Sequence, residues 1–203
     1  MKLYFAPMTC SLSPHIVLRE LGLAFELMRV NNKTKATADG RDLRDINPKG
    51  YVAALVLDNS EVLTEGPAII QYLADLVPGN SLAAANGTWE RSRLQELLNF
   101  IATEIHSGSA PLFNTEIHES AKAIFRQKLF KRLDYLNTGL LGKNYLLGDF
   151  GLADAYLFTV LKWLPFFNIE IKDWPELASF MERVEARPSV QAAIAAEEAT
   201  QAV

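Results

Sequence analysis

One stretch of this 203-residue chain concentrates the groups that could do chemistry: Met8-Thr9-Cys10-Ser11-Leu12-Ser13-Pro14-His15, which holds the only cysteine. A cysteine among apolar neighbours is usually a small buried hydrophobe. Here the neighbours are Thr9, Ser11 and Ser13, which favours a reactive thiol. Cys10-Ser11-Leu12-Ser13 is a Cys-x-x-Ser, a monothiol with no resolving cysteine. A chain with one thiol closes no internal disulfide, so thiol chemistry here needs a second thiol from outside. Three further polar groupings stand out. Glu65-Gly66 precede Pro67 and an apolar run, Lys35 lies in a polar segment, and Asn99, Thr103 and His106 are spaced i, i+4, i+7. That last spacing puts the three on one face of an α-helix.

The elements that position these groups follow from the pattern. Lys2-Leu3-Tyr4-Phe5-Ala6 reads as a buried strand. Ser13 followed by Pro14 reads as an N-cap and a first helical position, with Gly22 as the helix stop. Cys10 is then expected in a tight turn at a helix N-terminus, where unpaired N–H groups and a partial positive charge favour a thiolate. Phe25 to Val30 reads as a half-exposed strand, which completes a βαβ unit. Residues 31–50 are polar and punctuated, with a short helix near Leu43. Val52–Leu57 and Glu61–Leu63 form a hairpin around Asp58-Asn59-Ser60, and Pro67 opens the next helix.

After Val77-Pro78-Gly79-Asn80-Ser81 the strand signal vanishes. Helical periodicity runs from Trp89 to about Phe113, from Ala121 to Leu136 with Ile124 on its apolar side, and from Leu152 to Leu164. The third is apolar almost all round, as for a buried central helix. Two more helices start at Pro175 and Pro188, and the tail from Ala192 is expected to fray. The fold class is therefore an α/β N-terminal thioredoxin-like domain with a mixed four-stranded sheet, followed by an all-α helical-bundle domain. Its parts are residues 1–77, a linker at 78–86, and 87–203.

Composition sets bounds. The chain is 49% hydrophobic and 22% charged, with a formal net charge of −4. It lacks the basic excess that nucleic acid or an anionic membrane would ask for. A single cysteine suits a reducing compartment. No apolar run approaches the ~20 residues of a membrane span, and no cluster of metal-ligand spacing is present. The expected setting is cytoplasmic.

Taken together, the segments Cys10–His15, Asn47-Pro48-Lys49-Gly50, Leu63–Leu73, Asn99–His106 and Ala153–Phe158 resemble the cytosolic glutathione S-transferases, most closely their bacterial beta class. The resemblance covers essentially the whole chain. It implies glutathione as co-substrate with no prosthetic group, a hydrophobic electrophile as second substrate, and a homodimer. It implies catalytic roles for Cys10 and His106. Glutathione contacts are implied at Lys35 (glycine carboxylate), Val52 (backbone pairing with the cysteinyl part), and Glu65 with Gly66 (γ-glutamyl end). They are also implied on the helical side at Asn99, Thr103 and Glu104. Pro111, Leu112, Phe113, Trp163 and Phe166 are expected to serve the electrophile. His15 is expected to be structural and His118 exposed.

Two positions depart from the family pattern. Ala53 stands where members carry a proline after a cis bond, which leaves open whether the Val52–Ala53 bond is cis or trans. Gly151 stands where a Ser or Thr usually starts a capping box with Asp154. The sequence supports conjugation of glutathione to electrophiles, with a thiol–disulfide reductase or a non-catalytic binder of glutathione and hydrophobic ligands as alternatives.

Overall fold

The computed structural model describes residues 1–200. The chain divides into two compact units: Met1–Asn80 joined by the segment beginning at Ala186, and Ser81–Glu185.

In the first unit β1 (Lys2–Phe5) pairs in parallel with β2 (Glu26–Arg29) across helix α1 (Leu12–Glu20). A short α2 (Leu43–Ile46) precedes the hairpin of β3 (Ala54–Val56) and β4 (Val62–Thr64), and α3 (Gly66–Asp75) follows. β1 also pairs with β3, antiparallel, so the sheet order is β2-β1-β3-β4, mixed as expected. Leu3 and Phe5 are fully buried on one face and Tyr4 on the other, so the central strand is covered on both faces. Tyr4 packs with Val30, Leu43 and Ala54, and Val52 and Met28 lie against that group.

Helix α1 starts earlier than the sequence suggests. Ser11 occupies the N-cap position and Ser13-Pro14 lie inside the first turn. All N–H groups of a first turn lack an intrahelical acceptor, so proline is tolerated at any of these positions and does not fix the start. The C-terminal stop is as read: Gly22 has φ +63, with its N–H on the Arg19 carbonyl and the Leu23 N–H on that of Leu18.

The last helix, α9 (Pro188–Ala199), packs against α1 and belongs to the first unit, whereas the linear partition at residues 77 and 87 counts it with the helical domain. Buried groups tie it there. His15 Nδ1 lies 3.0 Å from Glu197 Oε1, and the Arg187 Nε–H donates to Glu20 at 2.7 Å. Residues 201–203, the end of the expected tail and of the 87–203 partition, lie outside the described residues.

The second unit is helical, with α4 (Trp89–Phe100), α5 (Ser107–Phe113), α6 (Glu119–Gly139), α7 (Leu152–Leu161) and α8 (Pro175–Glu185). Between α4 and α5, residues Ile101–His106 form a π-helical turn, and the Ser107 N–H reaches back five residues to the Ala102 carbonyl. Every residue of α7 is buried, in line with its all-round apolar sequence. Ile124 is a correction: it lies exposed on α6, whose buried side is made by Leu129, Leu133 and Leu136.

At the start of α7 the Asp154 carboxylate accepts from the N–H of Gly151 (2.8 Å) and of Leu146 (2.9 Å). A Cβ on Gly151 would sit 2.9 Å from the Leu82 carbonyl oxygen. The departure at residue 151 is thus a close backbone approach that a side chain would have to push apart, as well as the loss of half a capping box.

Candidate functional site

The Cys10 turn is knitted by hydroxyls. Thr9 Oγ1 donates to the Ala6 carbonyl at 2.8 Å and lies 2.8 Å from Ser11 Oγ, and Ser11 Oγ accepts from the Ala6 N–H at 3.2 Å. Ser11 is fully buried and its hydroxyl is committed to Ala6. It therefore serves the turn and is not available to a sulfur. Cys10 sits between strand and helix as expected. Its Sγ–H donates to the Val52 carbonyl at 3.3 Å. The Val52–Ala53 peptide bond is cis, so this chain has the family's geometry without the family's proline.

The expected thiolate is not what this environment favours. Burial pushes the Cys10 thiol up to about 11, the nearby Glu65 charge adds to the rise, and backbone N–H bonds from Cys10 and Ala53 only partly oppose it. Desolvation outweighs the helix end here. The thiol is protonated near neutrality.

Glu65 and Gly66 begin α3. Glu65 is exposed and adopts φ +72, ψ 111, and its carbonyl accepts from the N–H groups of Ala68 and Ile69. Its carboxylate does not cap the helix but pairs with Lys49 Nζ. Both partners are open to solvent, so this pair is worth little, about 0–1 kcal/mol, and can be exchanged for another cation. Lys49 belongs to the Asn47–Gly50 motif, yet no spacing rule links it to a residue sixteen positions on. Lys35 adopts φ +67 and its Nζ donates to Asn32 Oδ1 at 3.2 Å. Met8, just before the thiol turn, also has positive φ. A side chain held at positive φ costs of order 1–3 kcal/mol and tends to mark sites where the fold imposes a conformation. Three of the five such residues among those described, Met8, Lys35 and Glu65, are candidate site residues or adjoin one.

In the helical unit the π-turn alters the expected stripe. Asn99 lies on α4, while Thr103 and His106 lie in the wider turn, so α-helical spacing does not carry across the three. Asn99 and Thr103 are exposed, and Thr103 Oγ1 donates to the Asn99 carbonyl at 3.0 Å. The Glu104 carboxylate is engaged by Arg132 at 2.6 Å. His106 is half-buried. Its Nδ1 lies 2.6 Å from Tyr156 Oη, and its ring meets Trp163 edge-on at 4.9 Å. Tyr156, a neighbour of His106 that sequence reading missed, lies fifty residues away on the buried α7. Trp163 continues through Phe113 (5.6 Å) to Phe166 (6.4 Å), and the last two are exposed. The structure thus brings His106 together with the apolar residues expected to serve an electrophile. Among the described residues no group of three or more His, Cys, Asp or Glu is placed to hold a metal, and no helix is long and apolar enough to cross a membrane.

A thioredoxin-like sheet unit with a lone thiol beside a cis peptide bond, accompanied by an all-helical unit, defines a glutathione-transferase type of architecture. The comparisons agree. Residues 7–76 match the glutathione S-transferase N-terminal domain and residues 100–188 its C-terminal domain. The chain is 44% identical over 198 residues to glutathione S-transferase GstA of Escherichia coli O157:H7, covering 97% of this chain and 98% of that one. It is similar to the solved structure of a sphingomonad glutathione S-transferase complexed with glutathione (39% identity, 98% of this chain and 99% of that one, TM-score 0.94). It is likewise similar to the bacterial beta class glutathione S-transferase of Sphingomonas chungbukensis (41% identity, 97% and 98% covered, TM-score 0.93). The chain belongs to the glutathione S-transferase family and is closely related to its bacterial beta class.

Proposed function

We propose that this chain is a glutathione transferase that binds glutathione on the sheet unit and conjugates it to hydrophobic electrophiles. The observation that carries the reading is the Cys10 thiol on the Val52 carbonyl at 3.3 Å, which sets a sulfur site beside the backbone segment suited to a cysteinyl residue. In this reading the start of α3, with Glu65 and Gly66, receives the γ-glutamyl end. Glu65 exchanges Lys49 for the ligand's ammonium. Val52 pairs with the cysteinyl backbone as an added strand would, and Lys35 meets the glycine carboxylate. On the helical side His106 serves the sulfur, with Asn99, Thr103 and Glu104 as further glutathione contacts. The aromatic surface of Phe113, Trp163 and Phe166 takes the electrophile.

The choice between conjugation and disulfide reduction turns on the thiol. With burial pushing the Cys10 thiol up to about 11, its thiolate is a minor form near neutral pH. Glutathione's own sulfur is then the better nucleophile, which favours conjugation. Reduction remains a second activity of the same site. There the Cys10 thiolate attacks the glutathione sulfur of a mixed disulfide, releasing the substrate thiol with the proton as the Cys10–glutathione disulfide forms; a reduced glutathione then attacks that disulfide, returning Cys10 and leaving as oxidised glutathione. The family resemblance and the exposed apolar side chains of Tyr51, Val62 and Leu76 support a homodimer, and the single cysteine supports a cytoplasmic setting.

The test combines a conjugation assay on a generic aromatic electrophile with mass spectrometry after incubation with oxidised glutathione, on wild type and Cys10→Ala. Conjugation retained by Cys10→Ala, with a reducible one-glutathione adduct only on the wild type, is the expected result. Retention on immobilised glutathione with no turnover of any electrophile would overturn the transferase reading in favour of a binder.

A further inference from the structure

Tyr4 presents a puzzle that packing does not solve. It is fully buried on β1, in register with Met28 and Ala54, within an apolar group that a phenylalanine would fill equally well. A buried hydroxyl needs a polar partner, and this one finds it outside the sheet. Tyr4 Oη donates to Asp39 Oδ2 at 3.2 Å and accepts from Arg41 Nη2. The same guanidinium donates to Asp39 through Nη2 (2.7 Å) and Nε (3.0 Å) and lies over the Tyr4 ring. The Arg41 bond holds the Asp39 carboxyl well below the usual carboxylate range, so the pair stays ionised at any working pH.

Asp39 and Arg41 lie on the loop that carries Lys35. Thr37 Oγ1 accepts from the Arg41 N–H at 3.0 Å and donates to Asp39. Bridges at Val30–Thr37 and Ala36–Asp42 draw the two arms of the loop together. Both backbone groups of Lys35 are used: its N–H donates to the Asn31 carbonyl and its carbonyl accepts from the Leu43 N–H, each at 2.8 Å. Lys35 is thereby held at φ +67, a conformation a free loop would leave. The polar tip of Tyr4 hydrogen-bonds this loop's Asp39–Arg41 pair, and beside it the Ala38 N–H donates to the carbonyl of Arg29 on β2 at 2.8 Å.

We propose that Tyr4, Asp39 and Arg41 form a clasp that fixes the Lys35 loop against the sheet and sets the lysine for the glycine carboxylate of glutathione, which makes Tyr4 a positioning residue for that end of the substrate. The proposal rests on the glutathione reading of Lys35 given above. Tyr4→Phe removes the hydroxyl and leaves the ring packed on its apolar neighbours. Steady-state kinetics with glutathione and with its glycine ethyl ester, whose terminal carboxylate is neutral, separate positioning from general damage.

Tyr4→Phe and Asp39→Asn are expected to raise KM for glutathione about 3- to 10-fold, the range of one or two lost hydrogen bonds, with kcat changed less than about 2-fold. KM for the ester should stay within about 2-fold of wild type. Lys35→Met should show the same selectivity with a larger rise. If Lys35→Met leaves KM for both substrates unchanged, the reading of Lys35 fails and the clasp loses its purpose with it. If Lys35→Met is selective while the clasp variants raise KM for both substrates alike, or for neither, the clasp alone is refuted. Asp39→Asn, at the surface, keeps the test decisive should Tyr4→Phe not fold.

Discussion

His15 and His106 both lie in helical segments near candidate chemistry, and the structure treats them in opposite ways. His15, five residues after the thiol, is fully buried with both ring nitrogens spoken for. Nδ1 faces Glu197 at 3.0 Å and Nε2 accepts from the Arg19 Nε–H at 2.8 Å. That second bond fixes the tautomer, because an Arg can only donate, so Nε2 carries no proton. His106 keeps part of its surface exposed, and its aromatic neighbours lead outward to Phe113 and Phe166. A histidine saturated by core partners belongs to the fold, whereas one anchored through Nδ1 and partly exposed beside an apolar surface keeps the access that the role proposed for His106 requires.

The sharpest way to break that comparison is to truncate each. His15→Ala leaves Glu197 and Arg19 without their buried partner and opens a cavity. The cavity and the two lost buried hydrogen bonds, His15 being neutral, are expected to cost about 3–5 kcal/mol in denaturant unfolding, or roughly 6–20 °C in Tm. His106→Ala is expected to cost about 1–2 kcal/mol, while lowering kcat/KM for conjugation at least about tenfold. Equal stability losses in the two variants would erase the distinction.

A pH series sharpens it. Burial pushes Glu197 up to about 8 and His15 down to about 3. Between its ordinary value near 4.5 and 8, Glu197 binds more protons folded than unfolded, so its contribution is full at low pH and is lost as pH rises through 8. His15 works the other way: folded, it binds fewer protons between 3 and 6.5, and its contribution is lost as pH falls. The two oppose each other between 4.5 and 6.5. From about 6.5 to 8 only the Glu197 limb remains, and stability should decline. Glu197→Gln is expected to flatten that decline in unfolding midpoints taken across this range. A slope unchanged in the variant would show that Glu197 is not the group that titrates.

How much of this was legible in the sequence depends on the reach of each interaction. Local and periodic features read through. The strand–turn–helix around Cys10, the Gly22 stop and the all-buried α7 come from neighbours within a few residues. Features that depend on distant partners did not read through. Glu197, 182 residues from His15, and Tyr156, fifty from His106, have no local signature. The π-turn at Ile101–His106 looks like α-helix because its side chains still alternate between apolar and polar at nearly helical spacing. The helix end beside Cys10 suggested a thiolate, since sequence shows where a helix starts but not how far a thiol is desolvated. The bond at Ala53 is cis without the residue type that would announce it.

The third histidine gives the smallest predicted effect and tests the same ranking from the other end. His118 is exposed, as expected, but it also holds the N-cap position of α6: its Nδ1 accepts from the Ser120 N–H at 3.3 Å, and its carbonyl from the N–H groups of Ala121 and Lys122. An exposed cap exchanges one protein hydrogen bond for one to water, so His118→Ala should cost about 0.5–1 kcal/mol. His118→Ser, a better cap, should restore or slightly exceed wild-type stability, and neither change should alter conjugation. Urea unfolding and the conjugation assay on the same preparations check both. If burial and saturation decide what a histidine does in this fold, the stability costs must fall in the order His15, His106, His118. A His118→Ala loss as large as that of His15→Ala would mean that the cap of α6 holds the helical unit together, and that exposure is a poor guide to a residue's structural role here.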